Sequence, residues 1–202
     1  MTQHHFSYLA LGDSYTIGEG IPIYESFPYQ LVQLLRKKGI SVHAPEIVAK
    51  TGWTTFELAE HILHTTFSDK YDFVTLLIGV NNQYRNLPLA EFESDFEFLL
   101  KKAIHFTGNK TEKVIVVSIP DWGATPFAEG RDILAIKKEI DQFNAAKKAI
   151  AAKYNITFID ITEGTREMCD DLSLAAADGL HPSGKEYARW AEKIAAQFSI
   201  NN

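Results

Sequence analysis

A serine hydroxyl and an Asp-x-x-His pair sit near opposite ends of this chain. Ser14 stands in Gly12-Asp13-Ser14-Tyr15, directly after the apolar run Tyr8-Leu9-Ala10-Leu11. Far downstream the chain reads Ala177-Asp178-Gly179-Leu180-His181-Pro182. A serine hydroxyl is a weak nucleophile near neutral pH; it needs a base within reach, and the base needs an orienting partner. His181 is suited to take the proton from Ser14 and return it to a leaving group. Asp178, one turn earlier, can accept from the other ring nitrogen and stabilise the imidazolium. The three are the groups of a serine hydrolase that works through an acyl-enzyme.

Two further blocks lie between them, Lys50-Thr51-Gly52-Trp53 and Ile78-Gly79-Val80-Asn81-Asn82. In order and rough spacing the four blocks resemble those of the SGNH hydrolases, also called GDSL esterases and lipases. The resemblance runs from about Leu9 to Trp190, with the family's set supplied as Ser14, Gly52, Asn81 and His181. It implies an oxyanion hole built from the backbone N–H groups of Ser14 and Gly52 and the side-chain amide of Asn81. The residue types suit that role: glycine permits close backbone approach, and asparagine offers a donor that does not titrate. The resemblance also implies a flavodoxin-like three-layer α/β/α fold and a small-molecule ester as substrate, with no cofactor and no metal. Lysophospholipids and short-chain acyl esters are the first expectation; carbohydrate O-deacetylation or thioester cleavage is the alternative. One departure is visible. The third block is most often Gly-X-Asn-Asp, and here Asn82 ends it, which opens the question of the hydrogen bonding around the Ser14 turn. Tyr15 replaces the usual Leu outside the catalytic set.

The elements that must position these groups follow from apolar periodicity. Phe6–Leu11, Val42–Ala49, Phe73–Ile78, Lys113–Ile119 and Thr157–Ile161 read as strands, several of them apolar throughout, as in a sheet covered on both faces. Glu25–Lys38, Thr54–Phe67, Leu89–Phe106, Asp132–Tyr154 and Pro182–Phe198 carry helical spacing. In Thr54–Phe67 the inward set reads Phe56, Leu58, Ala59, Ile62 and Leu63, with Thr54 or Thr55 as N-cap. Strand–helix alternation repeated five times predicts an α/β fold, a five-stranded parallel sheet between helical layers, in a single domain spanning 1–202. Ligands bind such sheets at the carboxyl ends of the strands. Ser14, Gly52, Asn81 and the Trp122-Gly123 loop each follow a strand and are expected on that rim. Asp121–Arg131 is the longest clear loop and is expected to line the site. Trp53, Trp122 and Phe127 fit two roles, lining an acyl pocket or anchoring loops.

Composition excludes several other classes. Net charge is −6, from 20 basic and 26 acidic side chains, which argues against nucleic acid as a partner. The basic doublets Lys37-Lys38, Lys101-Lys102, Lys137-Lys138 and Lys147-Lys148 read as solvated helix faces. Cys169 is the only cysteine, so no intrachain disulfide forms, and its acidic neighbours Asp170 and Asp171 disfavour a thiolate. The start Met1-Thr2-Gln3-His4-His5 lacks the pattern of a secretory leader, and no apolar run approaches bilayer length, so a cytoplasmic protein without membrane insertion is expected. Gly12–Gly20 contains no lysine and is neither a P-loop nor a dinucleotide fingerprint. His61 and His64 lie three apart on a helix without a third ligand and read as a solvated pair. A binding protein that keeps the fold without hydrolysis is the competing class; the presence of Ser14, Asp178 and His181 together argues against it.

Overall fold

The computed structural model describes residues 4–198. Residues 1–3, part of the stretch read for a leader, and residues 199–202 lie outside the described residues. Five strands, β1 (Tyr8–Asp13), β2 (Glu46–Lys50), β3 (Phe73–Leu77), β4 (Val114–Val117) and β5 (Thr157–Ile159), form one parallel sheet. Their order is β2-β1-β3-β4-β5. The central strands are apolar on both faces because both are covered; Leu9, Leu11, Val74, Leu76, Val114 and Val116 have no exposed surface. Burying each such side chain contributes about 1.5–3 kcal/mol.

Five long helices follow in chain order among three short ones: α1 (Ser14–Ile17), α2 (Phe27–Lys37), α3 (Thr55–Leu63), α4 (Val80–Tyr84), α5 (Leu89–Phe106), α6 (Ile133–Lys153), α7 (Thr162–Arg166) and α8 (Gly184–Ala195). From β1 the chain moves outward to β2, then turns back past β1 to β3, β4 and β5. Right-handed crossovers therefore put α2 on one face and α3, α5 and α6 on the other. The packing agrees: α2 lies against α8, while α3 meets α5 and α5 meets α6. The strand order reverses between β1 and β3, and the crevice at their carboxyl ends is where such a sheet binds ligands.

Sequence and structure differ in instructive places. The first strand is shifted, running from Tyr8 to Asp13, and Phe6 pairs only as an isolated bridge with Val42. The second strand is Glu46–Lys50 alone, because Pro45 has no N–H to give the ladder and separates it from Val42. In α3 the inward face is Thr55, Leu58, Ala59 and Ile62; Phe56 and Leu63 are corrected to the outside, 59% and 52% exposed. Its start is fixed by a Thr54–Glu57 capping box, which sets the rotation. The expected loop 121–131 contains two short 3₁₀ turns, Trp122–Ala124 and Pro126–Ala128. The largest correction is Lys147, which is not solvated: it lies on the inward face of α6 with no exposed surface.

Candidate active site

Ser14 opens α1 at the carboxyl end of β1. The turn is shaped by Asp13, whose Oδ1 accepts from the Tyr15 backbone N–H at 3.0 Å. Ser14 is 5% exposed and His181 6%, so the two groups meet in a nearly dry place. His181 Nε2 lies 3.0 Å from Ser14 Oγ, and His181 Nδ1 lies 2.6 Å from Asp178 Oδ2. A carboxylate only accepts, so Nδ1 carries the proton and the lone pair of Nε2 faces the serine hydroxyl.

The loop holding the pair is itself pinned. Asp178 Oδ1 accepts from the backbone N–H groups of Leu180 and His181 at 2.9 and 3.0 Å. The Ala176 N–H donates back to the His181 carbonyl at 2.7 Å. Desolvation is the largest single influence on the Asp178 carboxyl and opposes its charge. The hydrogen bonds from the His181 ring and the two amides together overcome it and hold the carboxyl below its usual range.

Gly52 follows β2 with φ +81°, a left-handed conformation suited to glycine. Two donors hold its segment: Asn81 Nδ2, on α4, donates to the Trp53 carbonyl at 3.0 Å, and Arg85, which caps the end of α4, donates to the Gly52 carbonyl. An amide nitrogen has two N–H groups, so Asn81 keeps one for another acceptor. Gly79, before α4, has φ +124°, and a Cβ there would stand 2.5 Å from the Phe92 ring. Asn82 points elsewhere than the Ser14 turn. Its Oδ1 accepts from the Thr55 N–H at 3.0 Å and its Nδ2 donates to Thr55 Oγ1 at 2.8 Å. The Thr55 hydroxyl in turn donates to Asp95 at 3.2 Å. An aspartate at 82 would offer Thr55 Oγ1 no donor while that hydroxyl's proton is directed at Asp95, which accounts for the amide here.

Beneath the rim lie two buried titratable groups, Lys147 and Asp13. Lys147 Nζ donates to the carbonyls of Ile78 and Val117 at 3.0 and 2.7 Å, and stands 5.3 Å from the centre of the Phe96 ring. It thus ties the end of β3, immediately before Gly79, to the end of β4. Burial pushes the Lys147 ammonium down to about 7, opposed by the charge of Asp13. Burial pushes the Asp13 carboxyl up to about 7, opposed by its bond from Tyr15 and by the charge of Lys147.

A cavity of about 140 Å³ opens beside Ser14, lined by Ser14, Asn81, His181, Tyr84, Trp122 and Phe127, with Tyr15, Val80 and Leu180 completing it. Trp122 and Phe127 are therefore at the site, as two of the three aromatic candidates. Trp53 contributes its carbonyl instead, while its ring packs on His61 with centroids 4.8 Å apart. Tyr84 and Gln83 were not singled out from the sequence; their helix α4 is a single short turn without legible periodicity. Cys169 is exposed, and desolvation and the charge of Asp170 push its thiol up, away from reactivity. Among the described residues no three His, Cys, Asp or Glu side chains gather into a metal-binding set, and no helix is long and apolar enough to cross a membrane.

Comparison with known proteins gives this geometry a lineage. An acetylxylan esterase of Geobacillus stearothermophilus is 26% identical over 142 residues, a stretch covering 66% of this chain and 62% of that protein, less than two thirds of its length. The crystal structure of Axe2, an acetylxylan esterase from the same organism, has a TM-score of 0.75 at 20% identity, covering 98% of each chain. A lipolytic protein of the G-D-S-L family from Veillonella parvula has a TM-score of 0.72 at 20% identity, covering 96% of this chain and 98% of that one. At such identities the structures speak for the fold. The model of the GDSL-like lipase/acylhydrolase family matches residues 10–189, a span that takes in every block from the Ser14 turn to the His181 loop. The chain belongs to that family.

Proposed function

We propose that this hydrolase cleaves short acyl groups, acetyl above all, from carbohydrate hydroxyls, and that Ser14, His181 and Asp178 carry the reaction. The observation that carries the reading is the cavity beside Ser14. Its volume of about 140 Å³ is that of a pocket known to hold benzene, not the long chain of a lysophospholipid. Trp122 and Phe127 are among the side chains that line it. The acetylxylan esterase relative supports the same substrate class.

In this mechanism the ester carbonyl enters the cavity and Ser14 Oγ attacks its carbon as Nε2 of His181 takes the hydroxyl proton. Asp178 holds the resulting imidazolium in orientation and compensates its charge. The carbonyl oxygen becomes an oxyanion, received by the N–H groups of Ser14 and Gly52 and by the remaining N–H of Asn81. Collapse expels the alcohol, which takes the proton from His181. Water then repeats the sequence on the acyl-enzyme and frees the acid.

The test is a panel of p-nitrophenyl esters from C2 to C16, with a lysophospholipid and an acetylated xylo-oligosaccharide. Highest kcat/KM on acetyl, falling by C8, is expected, with measurable acetate release from the sugar. A maximum at C8 or longer, or on the lysophospholipid, would contradict it.

A further inference from the structure

The Trp122 wall of the cavity is held from two helices. The Trp122 indole N–H donates to Gln83 Oε1 at 2.7 Å, and Gln83 Nε2 donates to Glu139 Oε2 at 2.8 Å. Gln83 lies on α4 and Glu139 on α6, so two helices fix one indole. Trp122 and Gln83 are both buried, 6% and 4% exposed. A ring this large, bonded at its only polar atom and packed edge-on against Tyr84 at 5.2 Å and Phe127 at 6.1 Å, has little freedom to swing. The backbone around it is fixed as well. Thr125 Oγ1 donates to the Trp122 carbonyl at 2.7 Å, and Asp121 accepts from Arg166 at 2.9 Å.

A second hollow borders the same segment. A cleft of about 500 Å³ is lined by Gly123, Thr125, Pro126 and Ala128 together with Met168 and Leu172. One segment, 122–128, therefore serves two hollows. Trp122 and Phe127 face the small one at Ser14, and the residues between and after them border the large one.

We infer that Trp122, latched by Gln83, is the specificity-determining residue that ends the acyl site, and that removing the indole opens room for a longer acyl chain. The inference rests on the short-acyl reading above and assigns its cause. The latch excludes long chains sterically, and its polar bond keeps the wall from yielding. An extra methylene pressed against an unyielding wall costs about 1–3 kcal/mol of transition-state binding, or roughly 10–200-fold in rate.

The experiment measures kcat/KM for p-nitrophenyl acetate and octanoate, normalised to active sites titrated with an organophosphonate. Wild type, Trp122→Ala, Trp122→Phe and Gln83→Met are compared. Trp122→Ala is expected to raise the octanoate-to-acetate ratio by at least about tenfold. Gln83→Met, which removes the latch and leaves the indole, is expected to raise it less but in the same direction. An unchanged ratio in Trp122→Ala would overturn the inference while leaving the short-acyl reading intact. Should that variant fail to fold, Trp122→Phe carries the test: a raised ratio supports the inference, and an unchanged one overturns it. A wild-type preference for octanoate would instead sink the short-acyl reading itself.

Discussion

Two carboxylates flank the Ser14 turn, and their surroundings drive them in opposite directions. Asp178 sits on the rim with 37% of its side chain exposed, and it accepts three N–H groups, two from backbone and one from the His181 ring. Its carboxyl is held below the usual range. Asp13 has no exposed surface and accepts from Tyr15, while its Oδ2 has no hydrogen-bond partner among the described residues. Its carboxyl is pushed up, and the nearest cation felt is Lys147, itself pushed down. The contrast shows that donor count, set against burial, decides which carboxylate stays charged. The rim pair is poised to handle a proton. In the core, burial drives Asp13 and Lys147 toward their neutral forms, and Lys147 ties the ends of β3 and β4 through their carbonyls.

The comparison is broken or sharpened by substitution. The largest effect is expected from Asp178→Asn on the rim, where the amide cannot hold the productive tautomer. Loss of kcat approaching 10⁴-fold is expected. The melting transition should move little. In the core the pattern reverses. Lys147→Met leaves the Ile78 and Val117 carbonyls without the ammonium donor that joins them, a loss of about 1–3 kcal/mol per carbonyl in denaturant unfolding. Activity per titrated site should survive far better than in the rim variant. The Asp13→Asn/Lys147→Met double variant should cost less than the sum of the singles; strict additivity would show that the two do not pair.

A smaller effect is expected at Asn81, which belongs to the rim but touches neither pair. Asn81→Ala should lower kcat by about 10²–10³-fold with little change in KM; a pure KM effect would move it to substrate binding.

The smallest effect is one of pH. The folded Lys147 has a depressed pKa, so its contribution to stability is present above the unfolded lysine range and lost as pH falls through about 7. The folded Asp13 has a raised pKa, so its contribution is present at low pH and lost as pH rises through about 7. Lys147→Met removes the first and pushes Asp13 higher still. Between pH 7 and 9 its stability should therefore fall with pH relative to wild type, by about 1.4 kcal/mol per pH unit from the lost lysine and by up to as much again where the raised Asp13 titrates. Parallel urea profiles for the two proteins would contradict this.

Much of this was legible in the sequence, for physical reasons. Continuous apolar runs announced β3 and β4, because only a doubly covered sheet tolerates them. The helical pattern over Leu89–Phe106 matched α5 residue for residue. Ser14, Gly52 and Asn81 fell just beyond the ends of β1, β2 and β3, and His181 in the loop before α8, as expected. What escaped was set by tertiary context. Lys147 continues the inward stripe Ile136, Ile140, Phe143, Ala151, and a lysine in an apolar stripe was the available signal that its doublet was not a solvated face. Phe56 and Leu63 satisfied helical spacing, but the Thr54 cap and the Asn82–Thr55 bonds rotate α3 so that both face outward. Gln83 and Tyr84 had no signature, since the latch on Trp122 exists only once α4 and the 122–128 segment meet.

The central claim is that Ser14 is the group acylated, and covalent labelling tests it most directly. An active preparation is treated with a fluorophosphonate, digested, and mapped by mass spectrometry. One adduct per chain on the Ser14 peptide is expected, rising in step with loss of esterase activity. Ser14→Ala should take no label and lose on the order of 10⁴-fold or more in kcat. An adduct on any other residue, or full activity in a chain that takes no label, would contradict the account.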